Sequence, residues 1–135
     1  MKNIELINLS KSNHKKWKEI NFKKKENFFP VFKDFEYFLN ELSPGATSLF
    51  LYFGLHANYQ TGECFHSIDT IANYFNKSKR TISNWIKELE NKQLILRLQK
   101  KFNGPSHTLL LPYGKNLNKE NLIFTSVISK DLPFN

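Results

Sequence analysis

The chain has 135 residues and a mass of 16.0 kDa, enough for one domain with a hydrophobic core and terminal extensions but not for two ordinary enzyme domains. Hydrophobic residues make up 40% of it, which is typical of a folded chain, and its single cysteine, Cys64, excludes a disulfide framework and a multi-cysteine zinc site. No stretch approaches the roughly 18 uninterrupted apolar residues of a membrane span, so we expect a cytoplasmic protein without a membrane partner.

The net charge of +8 indicates a polyanionic partner. Of the 20 basic residues only Arg80 and Arg97 are arginine, and the 18 lysines suit contacts to phosphate that do not discriminate sequence. Eight of the bases lie in residues 77–101, where Glu88 and Glu90 are the only acids, so this segment carries +6. The charge is therefore concentrated on one part of the chain.

The first third of the sequence predicts an extension. Residues 1–33 are lysine-rich, and we expect them to be partly ordered; their triple lysine at 23–25 is either an arm along a DNA backbone or a solubilising run. Residues 34–41 predict a helix with Phe35, Phe38 and Leu39 on one side. The aromatic side chains of this region could extend the core or join two protomers, and the candidates for such a homodimer contact are Phe28, Phe29, Phe32, Phe35 and Phe38.

Two helices are predicted next. Ser43-Pro44 marks a helix start, and apolar residues then recur at steps of three and four as far as Ala57. Cys64-Phe65-His66 is long enough only for a stub of strand, and Ser67 begins a second helix of about two turns. Cys64 and His66 resemble half of a metal site, but no second pair stands at a usable spacing, so we predict a structural pair and neither metal nor cofactor.

A third helix is predicted from a cap at Ser78 to about Asn91. Asn76 suits the left-handed backbone that a tight turn between helices tends to need. One helix face is apolar, and the register of Trp85 on that face favours core packing over stacking on a base. The other flanks are polar and basic.

Two strands, Leu94–Gln99 and 106–111, are predicted to follow, joined by the turn-rich segment 100–105. Strict alternation would place Leu94, Leu96 and Leu98 inward and Arg97 outward, where it would contact a phosphate or simply be solvated.

The segment SIDTIANYFNKSKRTISNWIKELENKQLI, residues 67–95, carries a family resemblance. With its flanks, residues 43–98 resemble the winged helix-turn-helix domains of plasmid replication initiators and related bacterial and phage DNA-binding proteins. The resemblance implies an α+β, mainly α fold, with a three-helix core, a two-stranded β-hairpin wing and an additional N-terminal helix or extension. The domain would span residues 34–114, and residues 115–135 would form a tail packed on the core or on a partner protomer.

Two positions depart from the family pattern, because Asn76 and Gln93 stand where the family usually has glycine. Asparagine accommodates the turn, whereas Gln93 leaves the end of the helix and the starting angle of the wing open.

The resemblance also implies where DNA would bind. Ser78 would cap the recognition helix, and Arg80 and Asn84 suit bidentate contacts to guanine and adenine. The full set of predicted DNA-binding residues is Lys77, Ser78, Lys79, Arg80, Thr81, Ser83, Asn84, Lys87, Lys100, Lys101 and Asn103.

Two functions fit these residues. The first is a sequence-specific binder of double-stranded DNA, acting as a transcriptional regulator or at a replication or partition site of a plasmid, phage or other mobile element. The alternative is a winged-helix module for protein–protein assembly in a replication complex, with weak DNA affinity. We predict no enzymatic activity, because no nucleophile–base set, pair of carboxylates or phosphate loop stands out.

Overall fold

The computed structural model describes residues 2–99 and 104–115. The chain divides into two compact units, residues 1–30 and a second unit that begins at Val31. The first contains helix α1, Asn3–Phe22, and a short 3-10 turn, Lys25–Asn27. Among the described residues, no helix has the length and apolarity that crossing a membrane requires.

The second unit opens with an aromatic 3-10 helix, Lys33–Phe38. Phe35 is buried and stacks on Phe50 with 4.5 Å between ring centroids, and Tyr113 meets Phe35 edge-on at 5.7 Å. The predicted grouping of Phe35, Phe38 and Leu39 is wrong for Leu39, which is 55% exposed. A 3-10 helix brings residues i and i+3 to the same side, so Phe35 and Phe38 align while Leu39 turns outward. Phe35 and Phe38 thus extend the core.

Helix α2, Pro44–His56, begins where the sequence predicts. The side-chain oxygen of Ser43 accepts a hydrogen bond from the N–H of Ala46 at 3.2 Å, and Pro44 occupies the first turn. The carboxylate of Glu88 in turn accepts bonds from the Ser43 N–H and hydroxyl, at 2.8 and 2.7 Å. This contact fixes the start of α2 to the helix that carries Glu88.

Helix α3, Ile68–Phe75, and helix α4, Lys79–Asn91, follow, with a sheet beside them. Strands β1 (Glu63–Cys64), β2 (Ile95–Gln99) and β3 (Ser106–Leu110) form an antiparallel sheet in the order β1-β3-β2. The predicted hairpin therefore has a third strand, since the stub at Cys64 pairs with Thr108. The domain is mainly α with a small three-stranded sheet, an arrangement consistent with a winged helix. Its fully buried side chains include Leu49, Phe53, Ile71, Ile82, Leu89, Leu94 and Ile95.

Side chains alternate along β2, but with the phase opposite to the predicted one. Ile95 is fully buried, Leu98 is 53% exposed, and Arg97 lies on the inner face with Ile95. The cause is Gln93, whose φ of 57° is left-handed. The N–H groups of Gln93 and Leu94 bond back to the carbonyls of Glu90 and Leu89, at 2.9 and 3.0 Å, which turns Leu94 into the core as the helix closes and starts the strand at Ile95.

Candidate nucleic-acid interface

Two equivalent caps position α3 and α4. Ser67 and Ser78 both have extended backbones, and each side-chain oxygen accepts a bond from the N–H three residues later, Thr70 and Thr81, at 3.1 Å. The two hydroxyls of each Ser–Thr pair also lie 3.0 Å apart. The predicted caps at Ser67 and Ser78 are confirmed, and side-chain hydrogen bonds fix both helix starts.

The turn between the two helices has the predicted left-handed residue. Asn76 has φ 55° and ψ 47°. The N–H of Asn76 donates to the Asn73 carbonyl at 3.3 Å and that of Lys77 to the Ala72 carbonyl at 3.1 Å, which closes the end of α3. The turn is short, so the direction of α4 relative to α3 is set by these bonds.

Helix α4 has one buried and one exposed side. Ile82, Ile86 and Leu89 are buried against the domain. Trp85 is half-buried and packs edge-on against Phe75 with 5.6 Å between centroids, so its predicted packing role is confirmed.

The exposed side of α4 carries most of the predicted DNA-binding residues that the structure describes. Arg80, Asn84 and Lys87, spaced by four and three residues, form one solvent-facing stripe. Lys77, Ser78 and Lys79 are exposed at the start of the helix, and Thr81 and Ser83 are half-buried at its flanks. We refer to these eight residues as the α4 surface: Lys77, Ser78, Lys79, Arg80, Thr81, Ser83, Asn84 and Lys87. Lys100, Lys101, Asn103 and residues 116–135 lie outside the described residues.

The two acids of this segment face elsewhere. Glu88 binds Ser43 at the start of α2, as described above. Burial raises the pKa of Glu90, and the nearby charge and backbone N–H of Arg97 oppose that rise. The charge of Lys87 opposes the rise as well. Neither carboxylate belongs to the α4 surface, whose four basic residues, Lys77, Lys79, Arg80 and Lys87, give it a charge of +4.

One acid that the sequence analysis missed lies beside the α4 surface. The Asp69 carboxylate in α3 pairs with the Lys79 ammonium at 2.7 Å, and both side chains are mostly exposed. The pair borders an open groove between α3, α4 and the hairpin, also lined by Ser83, Arg97 and Gln99. Asp69 lies two residues after the Ser67 cap and Lys79 one residue after the Ser78 cap, and their proximity depends on the angle between the helices.

Arg97 is placed differently from both predicted alternatives. Its guanidinium donates to the Thr108 hydroxyl at 2.6 Å and to the His66 carbonyl at 3.2 Å, and burial lowers its pKa. These bonds link β2 and β3 to the residue before the Ser67 cap. Arg97 therefore holds the sheet against the start of α3 instead of pointing into solvent.

Cys64 and His66 are also structural. Cys64 is fully buried, and His66 hydrogen-bonds through Nδ1 to the hydroxyl of Tyr52. The described residues hold no cluster of three or more His, Cys, Asp or Glu side chains that could bind a metal ion.

Comparison with known families agrees with this geometry. Residues 40–95 match the family model of a helix-turn-helix domain, and this range covers α2, β1, α3, α4 and the first residue of β2. No curated protein and no solved structure shows significant similarity to the chain. The match supports a helix-turn-helix domain of the DNA-binding kind, and DNA is the partner class that such a domain suggests.

Proposed function

We propose that this protein is a cytoplasmic, sequence-specific binder of double-stranded DNA without enzymatic activity. It regulates transcription or binds a replication or partition site of a plasmid, phage or other mobile element. The observation that carries the proposal is the exposed stripe of Arg80, Asn84 and Lys87 on a helix whose start and direction are fixed by the Ser78 cap and the Asn76 turn.

The stripe combines the chemistry for reading bases with the chemistry for binding phosphates. A guanidinium donates two parallel hydrogen bonds to guanine, and a side-chain amide pairs with adenine, each such contact being worth roughly 1–3 kcal/mol of discrimination. Lys77 and Lys87 supply compact charges for the flanking phosphates. Because the helix is held by hydrogen bonds at its start, these side chains are presented in one orientation, as groove binding requires.

The mobile-element role rests on the resemblance of residues 43–98 to plasmid replication initiators. The helix-turn-helix match over residues 40–95 supports DNA binding and leaves the biological role as a proposal.

The test is selection of bound duplexes from random DNA, followed by fluorescence anisotropy on the selected site and on a scrambled duplex of equal length. We expect an enriched motif, and an affinity for it at least about 10³-fold above that for the scrambled duplex at physiological salt. Recovery of no motif, with weak and equal binding to both duplexes, would refute the proposal and favour the protein–protein assembly module.

A further inference from the structure

Helix α1 presents large apolar side chains to solvent. None of the 20 residues of α1 is buried. Leu6, Leu9, Trp17 and Ile20 are between 48% and 64% exposed. A helix in water gains most of its stability from packing an apolar face against a partner surface. An exposed set of this size on one helix therefore calls for an occupant.

These four apolar residues and Asn13 form a stripe with a symmetric spacing. Leu6, Leu9, Asn13, Trp17 and Ile20 follow one another at intervals of three, four, four and three residues, which keeps all five on one face of the helix. Lys11, Lys15 and Lys18 lie on the opposite face, together with the exposed side chains of Ile4 and Phe22. We call the five-residue set the α1 stripe. Its spacing reads the same in both chain directions, with Asn13 at its centre.

We propose that the α1 stripe is the interface of a homodimer, in which α1 packs against α1 of a second copy in antiparallel orientation. A two-fold axis at Asn13 brings Leu6 level with Ile20 of the second copy and Leu9 level with its Trp17. Such an interface is self-complementary, as a two-fold dimer requires. Because the spacing is palindromic, an antiparallel copy of the same helix brings every stripe residue level with a stripe residue of its partner.

The charge distribution selects the antiparallel orientation. Residues 2–12 contain two lysines and one glutamate, net +1, whereas residues 13–25 contain six lysines and one glutamate, net +5. A parallel pair would place the two +5 halves side by side, and like charges at short range repel. The antiparallel pair places each +5 half beside a +1 half.

Asn13 gives the interface its register. A side-chain amide both donates and accepts hydrogen bonds, so two copies of Asn13 facing each other across the axis can satisfy one another. A polar residue in an otherwise apolar helix interface fixes register and orientation at a cost in stability. Any shift of one helix along the other would leave this amide against an apolar side chain.

The first test is the solution mass by sedimentation equilibrium, measured without DNA so that it is independent of the proposed function. We expect a dimer for the native chain and at least a tenfold weaker dimer for Trp17→Glu. The matched control is Ile7→Glu, since Ile7 is 49% exposed on the same helix but outside the stripe. Neither side chain is buried in the fold, so the thermal unfolding of the winged domain should be the same in all three proteins.

The proposal would be overturned by a native chain that stays monomeric at about 100 μM, because its dissociation constant would then be well above that concentration. Equal loss of the dimer in Trp17→Glu and Ile7→Glu would overturn it as well. A monomer that binds vesicles containing phosphatidylserine, with binding abolished by Trp17→Glu, would assign the stripe to an anionic membrane surface instead.

The second test is the orientation, read from disulfide formation under mild oxidation. Leu6→Cys and Ile20→Cys should each stay uncross-linked alone and form a disulfide when the two variants are mixed, because positions 6 and 20 face each other only in the antiparallel dimer. The native Cys64 is fully buried and gives a low background. Rapid self-cross-linking of Leu6→Cys would show a parallel pair and overturn the proposal.

Discussion

Substitution of Gly45 by alanine tests how α4 is held against α2. Gly45 is the second residue of α2 and lies under the indole of Trp85. A methyl group at this position would fall less than 3.0 Å from Cε2, Cζ2 and Nε1 of that ring. The ring is confined on another side by Phe75, so it cannot move aside without disturbing α3. The absence of a side chain at Gly45 is what permits the close approach of the two helices.

Two opposing terms decide the magnitude. Alanine is favoured over glycine within a helix by roughly 0.5–1 kcal/mol. Forcing an extra methyl group into a packed contact costs typically about 1–3 kcal/mol. The clash wins, and we expect the free energy of unfolding of Gly45→Ala to fall by about 1 kcal/mol, which lowers the melting temperature by roughly 4–8 °C for a domain of 60–100 residues.

Urea unfolding of Gly45→Ala in two backgrounds checks the cause. In the Trp85→Leu background the clash is absent, so the same alanine should raise the free energy of unfolding by up to about 1 kcal/mol through helix propensity alone. The effect of one substitution thus changes sign with its neighbour. Destabilisation of the same size in both backgrounds would refute the packing argument, as would stabilisation in the native background.

Three further substitutions test the charged groups around α4. Asp69→Asn frees Lys79 for a phosphate, so in a salt titration of DNA binding we expect tighter binding, a slope of log K against log salt steeper by about 0.9, and stability altered by less than about 0.5 kcal/mol. Arg97→Ala removes two internal hydrogen bonds of a charged group, so urea unfolding should show a loss of about 2 kcal/mol while the salt slope stays unchanged. The pKa of His66 is lowered from 6.5, first by burial and then by the charge of His56. The contribution of His66 to the free energy of unfolding is therefore fully present above pH 6.5 and is lost as the pH falls through 6.5 towards the folded pKa. Urea unfolding at a series of pH values should show this loss in the native chain and not in His66→Gln.

Each of these outcomes has a contrary result. Glu36→Gln, a neutralised acid on the exposed 3-10 helix, is the control for Asp69→Asn, and an equal gain in affinity would show that only net charge matters. If Arg97→Ala has native stability and its DNA binding has a shallower salt slope, Arg97 contacts the DNA backbone instead of stabilising the domain. If the free energy of unfolding of His66→Gln depends on pH as that of the native chain does, His66 has the same pKa in the folded and the unfolded chain. The raised pKa of Glu90 is common to both proteins and cancels in this comparison.

Helices α2, α3 and α4 could be predicted from sequence because their signals are local. Ser43, Ser67 and Ser78 each cap through their own side chain and an N–H three residues away, and Asn76 tolerates the left-handed turn for reasons intrinsic to asparagine. Gln93 has no such preference. Its positive φ is imposed by helix closure and by the burial of Leu94, which are properties of the assembled domain.

The candidate site, like the fold, could be predicted from sequence only where its signals are local. The stripe on α4 follows from helical periodicity, whereas the pairing of Lys79 with Asp69 and the inward position of Arg97 depend on the angle between helices and the phase of a strand. The sequence shows that the aromatic segment 28–38 is apolar, but which of its rings enter the core depends on the 3-10 geometry. The α1 stripe is present in the sequence, and the dominant lysine content of residues 1–33 obscures it.

The most direct test of sequence reading by α4 is the affinity of Arg80→Ala for the selected duplex and for the scrambled duplex, with Lys92→Ala as the control. Lys92 is the residue directly after the last residue of α4, and its ammonium pairs with the Glu41 carboxylate at 3.3 Å. At about 1.5 Å per residue, Lys92 lies about 18 Å along the helix axis from Arg80. We expect Arg80→Ala to lose about tenfold or more on the selected duplex and much less on the scrambled one, and Lys92→Ala to bind both as the native chain does. Equal losses of Arg80→Ala on both duplexes would contradict the assignment of α4 as the element that reads DNA sequence.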